Sequence, residues 1–164
     1  MKNTIKSNIL LITILAITAS LTAQPTKNFK DGLADGKSSN KKILVSIYNP
    51  EDSWSKKMES VYSSGKISSL ITNNFVFVKL NGTGGEKYSY NGKEYTAGDL
   101  AKYLGATGYP THSFLNPDGS IIKFKYNCAE YNGFPGYLDE AEFEKLLNFF
   151  ISGKYGNSDL SKEL

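Results

Sequence analysis

Ile43-Leu44-Val45-Ser46-Ile47-Tyr48, then Asn49-Pro50-Glu51, then Asp52-Ser53-Trp54-Ser55-Lys56-Lys57-Met58: this stretch decides the fold. The first six residues are apolar nearly throughout and rich in β-branched and aromatic side chains, which predicts a strand buried on both faces. Asn49-Pro50 breaks it. Asp52 is a natural N-cap, because its carboxylate accepts from the free amides of a first helical turn, an effect of about 0.5–2 kcal/mol. Trp54, Met58 and Val61 then recur at helical spacing, which predicts one apolar helix face with a core tryptophan, while Lys56 and Lys57 fall on the wet side.

Outward from this stretch the pattern alternates. Residues 29–37 read as a short helix weakened by Gly32 and Gly36. Ile67, Leu70 and Ile71 continue helical spacing after Gly65, and residues 75–80 predict a second buried strand. Asn91-Gly92 between Tyr88-Ser89-Tyr90 and Lys93-Glu94-Tyr95 predicts a small hairpin. Leu100, Tyr103 and Leu104 predict a short helix ending near Gly105. Residues 112–115 read as a strand, Asn116-Pro117-Asp118-Gly119 as a turn, residues 121–126 as the return strand, and residues 127–136 as irregular. Asp139 caps a last helix with Phe143, Leu146, Leu147 and Phe150 on its apolar face, and residues 156–164 read as a flexible polar tail. This order predicts an α/β class: a three-layer α/β/α sandwich around a central mixed β-sheet.

The start of the chain reads differently. Lys2 and Lys6 precede an apolar run from Ile9 to Leu21, and Leu21-Thr22-Ala23 offers a small residue before Gln24. That is the order of a secretory signal peptide covering residues 1–23, cut after Ala23, with a folded domain over residues 24–155. The run of about 13 residues is shorter than the roughly 20 that a spanning helix needs, which ranks an uncleaved anchor second and leaves no stable membrane span after cleavage. The expected location is therefore secreted or periplasmic. Removing two lysines and no acids lowers the formal charge from +3 to +1. Every basic residue is lysine. Nucleic-acid readout favours arginine forks and a basic stripe, so nucleic acid is discounted as a partner. Asn81-Gly82-Thr83 fits a glycosylation sequon and is read as a turn.

Four features together resemble the thioredoxin-like superfamily, most nearly its exported bacterial branch. The strand at residues 43–48 leads into Trp54-Ser55-Lys56-Lys57-Met58, similar to the family's first strand and active-site helix. Asn91-Gly92-Lys93 before residues 100–105 resembles an insertion of that branch. Gly108-Tyr109-Pro110-Thr111, just before a strand, resembles the cis-proline loop. Phe114-Leu115-Asn116-Pro117-Asp118-Gly119, with Gly136-Tyr137-Leu138 later, resembles the closing hairpin and the approach to the last helix. The resemblance covers residues 29–150.

The departures bear on function. On the family pattern, Asp52 stands where the nucleophilic cysteine would be, Ser55 where the resolving cysteine would be, and Ser46 where many relatives bury an acid. Thiol exchange needs a thiolate to attack sulfur and a second thiol to resolve the mixed disulfide. A serine hydroxyl is not ionised at neutral pH without a base, and a carboxylate engaged in capping is a poor nucleophile. The pattern therefore points away from a dithiol enzyme. The family uses the residue before its cis-proline to recognise extended peptide, which the resemblance assigns to Tyr109, with Pro110 and Thr111 beside it. Asp52, Ser53, Trp54 and Ser55 form the degenerate active-site positions of the same face, with Tyr48, Tyr131 and Phe134 as candidate borders. The expected partner is a protein or peptide; no cofactor is implied, and nothing in the pattern specifies an oligomeric state.

Two other chemistries are weaker. A Ser–His–Asp arrangement needs a base within reach of the hydroxyl, yet His112, the sole histidine, is expected in or beside the core. One histidine and one cysteine without paired spacing make no metal site. Cys128, the only cysteine, cannot close an internal disulfide, and a lone cysteine is most often a small buried hydrophobe. If exposed, it supports an alternative in which Cys128 acts as a single reactive thiol. A third reading makes the protein a structural subunit of an envelope complex, with the 81–98 segment as its contact.

Overall fold

The computed structural model describes residues 26–164, so the predicted signal peptide at residues 1–23 lies outside the described residues. The apolar run at the centre of the sequence becomes β1 (Lys42–Tyr48). It pairs in parallel with β2 (Phe75–Asn81), Ile43 opposite Val76 and Ile47 opposite Leu80. On its other side it pairs antiparallel with β5 (Thr111–Leu115), Val45 opposite Ser113. A short edge strand, β8 (Gly133–Pro135), completes the order β2-β1-β5-β8.

A central strand covered on both faces should bury every other residue on each side, and β1 does. Leu44 faces a core shared with α2 (Ser53–Ser63), α3 (Gly65–Asn74) and α5 (Glu140–Ile151), through Met58, Tyr62, Ile67, Phe143 and Phe150. Ile43, Val45 and Ile47 face the other core, with α1 (Phe29–Ser39), α4 (Ala97–Tyr103) and the hairpin of β3 (Lys87–Tyr90) and β4 (Lys93–Thr96). The expected α/β/α sandwich with a mixed sheet is present. Asn91 and Gly92 both take positive φ, 51° and 73°, as a two-residue hairpin turn requires. Asp139 and Glu142 form a reciprocal capping box on α5.

The C-terminal third differs from expectation. The turn at residues 116–119 closes, with Gly119 N–H donating to Asn116 O at 2.9 Å. The returning chain then meets β5 only through the Leu115–Ile121 bridge and one bond from Ile122 N–H to Phe114 O. It turns away as β6 (Phe124–Tyr126) and forms a separate hairpin with β7 (Ala129–Tyr131). The residues expected to be irregular supply the sheet's fourth strand, β8, which pairs with β5 through Thr111–Pro135, His112–Phe134 and Ser113–Gly133. Gly133 allows this close approach: a Cβ there would lie 2.8 Å from Leu104 O and 2.9 Å from Thr111 Cγ2.

Residues 156–164 are not the frayed tail their polarity predicts. Two 3-10 turns, Lys154–Gly156 and Leu160–Lys162, fold the segment back, and Leu160 is completely buried in the α5-side core. Leu164 packs against the same core, and the Asp159 carboxylate accepts from the backbone between β6 and β7, so the segment is held at several points. Among the described residues no helix is long and apolar enough to cross a membrane.

Candidate functional site

The site is built at the end of the sheet where β1 stops. Asp52 N–H donates to Asn49 O, turning the chain after Pro50, and Asp52 then caps α2, its Oδ2 accepting from Ser55 N–H at 2.6 Å. Across the sheet, Ile47 of β1 pairs with Thr111, so the Pro110 turn lies beside the chain that leads into α2. The Tyr109–Pro110 peptide is cis. Pro110 O accepts from Gly136 N–H at 2.7 Å, which ties the turn to the segment after β8. The next residue, Tyr137, packs its ring on Trp54 with centroids 5.4 Å apart. Thus α2's first turn, the Pro110 turn and the Gly136-Tyr137 segment meet as one surface.

The members of that surface are not equally available. Trp54 is 51% exposed, so the core-tryptophan expectation is wrong. The buried stripe of α2 is Ser55, Met58, Val61 and Tyr62: Met58 and Val61 lie where the spacing predicts, and Ser55 takes the place of Trp54 at the first turn. Ser55 is 3% exposed, and its Oγ accepts from Asn49 N–H at 3.4 Å. Ser53 opens the first turn on the solvent side. Tyr109 is half-buried, its ring beside Gly82, where an added Cβ would come within 2.7 Å of it. Pro110 is buried. Thr111 is enclosed: its hydroxyl donates to Gly108 O at 2.7 Å, and its backbone lies between β1 and β8. Of the three turn residues, only Tyr109 offers side chain to solvent.

Lysine completes the surface. Lys57 Nζ stands 4.4 Å from the Tyr137 ring centroid and 5.1 Å from that of Trp54, within cation–π range of both. On the other side of α2, Lys79 pairs with Glu59 and lies 4.8 Å from the centre of the Tyr48 ring. Tyr131 and Phe134, expected to border the face, instead join the aromatic contacts of the β6–β7 hairpin, through Phe124 and Tyr126.

Behind the surface runs a buried polar chain that helical spacing and motif do not single out. Ser46 Oγ bonds Tyr62 OH at 2.8 Å, and Tyr62 OH bonds His112 Nε2 at 2.8 Å. All three residues are buried. Burial pushes the imidazole pKa down to about 3, opposed by the backbone of Phe134 on the neighbouring strand, and pushes the Tyr62 phenol up. His112 Nδ1 has no hydrogen-bond partner among the described residues. His112 is thus a neutral core residue whose Nε2 is engaged by Tyr62, and it does not serve Ser55 as a base.

Cys128 lies elsewhere. It is exposed, not buried as the base rate for a lone cysteine suggests. It shares the two-residue turn between β6 and β7 with Asn127, both at positive φ, 64° and 50°. Asp159 holds that turn, its carboxylate accepting from Asn127 N–H at 3.1 Å and Cys128 N–H at 2.7 Å. Cys128 takes no part in the hydrogen bonds and aromatic contacts that join Trp54, Tyr137 and Pro110.

These features define an α/β/α domain in which a capped helix N-terminus adjoins a cis-proline turn, with oxygen at both positions where a dithiol would stand. The pattern that defines the thioredoxin-like domain matches residues 29–151, and the chain belongs to that family. In fold it is similar to a thioredoxin-fold protein from Helicobacter pylori, with a TM-score of 0.57 at 20% identity over 80% of this chain and 88% of that one. It is similar also to a thioredoxin from Thermus thermophilus, with a TM-score of 0.55 at 18% identity over 79% and 88%. A DsbH oxidoreductase gives a TM-score of 0.55 at 17% identity over 87% and 93%. No curated protein matches the sequence.

Proposed function

We propose that this is an exported thioredoxin-fold protein that binds protein or peptide segments without dithiol chemistry. One observation carries the reading: the family's reactive end is still assembled, with Trp54 exposed beside the Pro110 turn, while its two sulfur positions are Asp52 and Ser55. Asp52 is spent on capping, and Ser55 is buried with no base at its hydroxyl. Neither can form an exchangeable bond with sulfur. Tyrosine and tryptophan combine apolar area with a polar edge, which suits a surface that must bind and also remain in water. Export is supported by the order of charge, apolar run and small residues in residues 1–23.

The test has two parts. With external reductant supplied, the mature protein should give no sustained turnover of a disulfide substrate. Extended peptides should perturb NMR signals of Trp54, Tyr109 and Tyr137. Catalytic turnover, or perturbations confined to other parts of the molecule, would overturn the reading.

The exposure of Cys128 favours a second reading, in which its thiolate attacks a partner disulfide, forms a mixed disulfide and releases the partner's other sulfur as a thiol. Cys128→Ser would abolish such adducts. Failure of the native protein to form mixed disulfides with a disulfide-bearing partner would remove this alternative.

A further inference from the structure

We infer that the Trp54–Lys57–Tyr137 cluster selects acidic segments that also carry an aromatic side chain; the inference rests on the peptide-binding reading above and adds the chemistry of the ligand. Five other lysines with described side chains, Lys27, Lys66, Lys79, Lys123 and Lys154, have a carboxylate oxygen within 3 Å. Lys57 has none within 4 Å among the described residues. Its ammonium is instead held against two aromatic rings, at 4.4 and 5.1 Å from their centres. Contact with ring faces leaves N–H donors free for an anion, so the lysine is positioned but not neutralised.

Of the carboxylates near along the chain, Glu59 pairs with Lys79, the Glu140 side chain makes no ion pair or hydrogen bond among the described residues and stands off Lys57 by more than 4 Å, and the rest are engaged. Asp52 caps α2 through Ser55 N–H. Asp139 and Glu142, just after Tyr137, close the capping box of α5 on each other's backbone. Glu51 faces Lys56 at 3.8 Å. Beside Lys57, the half-exposed indole of Trp54 offers a ring face that an aromatic side chain can cover. A ligand that fits both places a carboxylate at Lys57 and an apolar ring at Trp54. The Gly136 N–H bond to Pro110 O fixes this cluster beside the proposed peptide-binding turn.

Trp54 is the only tryptophan in the chain, so its emission reports on this surface alone. The mature protein should be titrated with an acetylated, amidated peptide GSFEDFSG and with its isostere GSFQNFSG, following Trp54 fluorescence. The acidic peptide should bind about three- to fivefold more tightly, as an exposed charge pair allows, and added salt should shrink the difference. Lys57→Gln should erase the difference, while Lys66→Gln, on another helix, should leave it intact. Equal affinity for both peptides, with Trp54 responding, would overturn the acidic preference and leave the peptide-binding reading standing. A preference that survives Lys57→Gln would also overturn it. Failure of both peptides to bind would overturn the two together.

Discussion

At the scale of single residues, the departure with the widest consequence is the polar chain Ser46–Tyr62–His112 sealed inside the domain. Tyr62→Phe leaves the Ser46 hydroxyl and His112 Nε2 without their shared partner. Abandoning buried polar groups costs about 1–3 kcal/mol, and urea denaturation should show a loss in that range. The same burial makes stability depend on pH. His112 is the only histidine, and in the folded protein its pKa is held down to about 3. In the unfolded chain it takes up a proton near 6.5. The unfolded state therefore binds more protons below that pH, and stability falls as pH drops through the window from about 6.5 towards 3, at up to about 1.4 kcal/mol per unit. Between pH 7.5 and 5.0, where ordinary carboxylates remain ionised, the expected loss is about 2 kcal/mol. His112→Gln should flatten the profile across that interval. A native profile that is already flat would mean that the imidazole is exposed or charged in the fold. The histidine's burial was legible from strand alternation. Its partner was not, because Tyr62 joins it only through tertiary packing between α2 and β5.

At the scale of elements, α2 shows how a helix face can be right at its centre and wrong at its first turn. Trp54, Met58 and Val61 fit helical spacing, and so do Ser55, Met58 and Tyr62; the fold buries Met58 and Val61 as hydrophobicity predicts, turns Trp54 out, and buries Ser55 and Tyr62 beside them. The tryptophan is turned out because the helix's first turn lies at the rim of the sheet, where Tyr137 covers only part of it. Met58→Ala should cost about 2–5 kcal/mol, as for a fully buried side chain. Trp54→Ala should change stability by less than about 1 kcal/mol while removing peptide binding. The reverse order in thermal melts would restore the sequence-based face. Strand β8 illustrates the opposite case. Gly133-Phe134-Pro135 has no alternation to read, and its strand character comes from the unpaired edge of β5 and the absence of a Cβ at position 133. The β6–β7 hairpin likewise depends on a distant residue. Asp159 is held down to about 2 by the Ser161 hydroxyl first and then the Cys128 amide, so its clamp on the turn persists through mild acid. Asp159→Ala should speed hydrogen exchange at the amides of Asn127 and Cys128, with no such change at pH 4 in the native protein.

At the scale of the whole molecule, stability and chemistry are separable. Two apolar cores on opposite faces of the sheet hold the domain, and neither contains a sulfur pair. The melting temperature should therefore be the same with and without reductant. The sandwich was legible because long apolar strands and amphipathic helices announce themselves by periodicity, whereas the surface formed by Trp54, Pro110 and Tyr137 joins three segments far apart in sequence and exists only once the sheet has closed. That separation yields the sharpest test of what the scaffold retains. In Asp52→Cys/Ser55→Cys, the first thiol would stand at the α2 N-terminus, where free amides and the helix dipole favour its thiolate. Loss of the Asp52 cap costs about 0.5–2 kcal/mol, which the thiolate, as an alternative acceptor, offsets in part. That thiolate would attack a substrate disulfide, the second thiolate would displace the substrate as a dithiol, and an external reductant would reopen the new internal disulfide. Measurable turnover from the double variant against none from the native protein is the expected outcome. If the variant folds, forms its internal disulfide and still turns nothing over, then the surface around Pro110 no longer admits a disulfide-bearing chain, and the peptide-binding reading loses its geometric basis along with the chemistry.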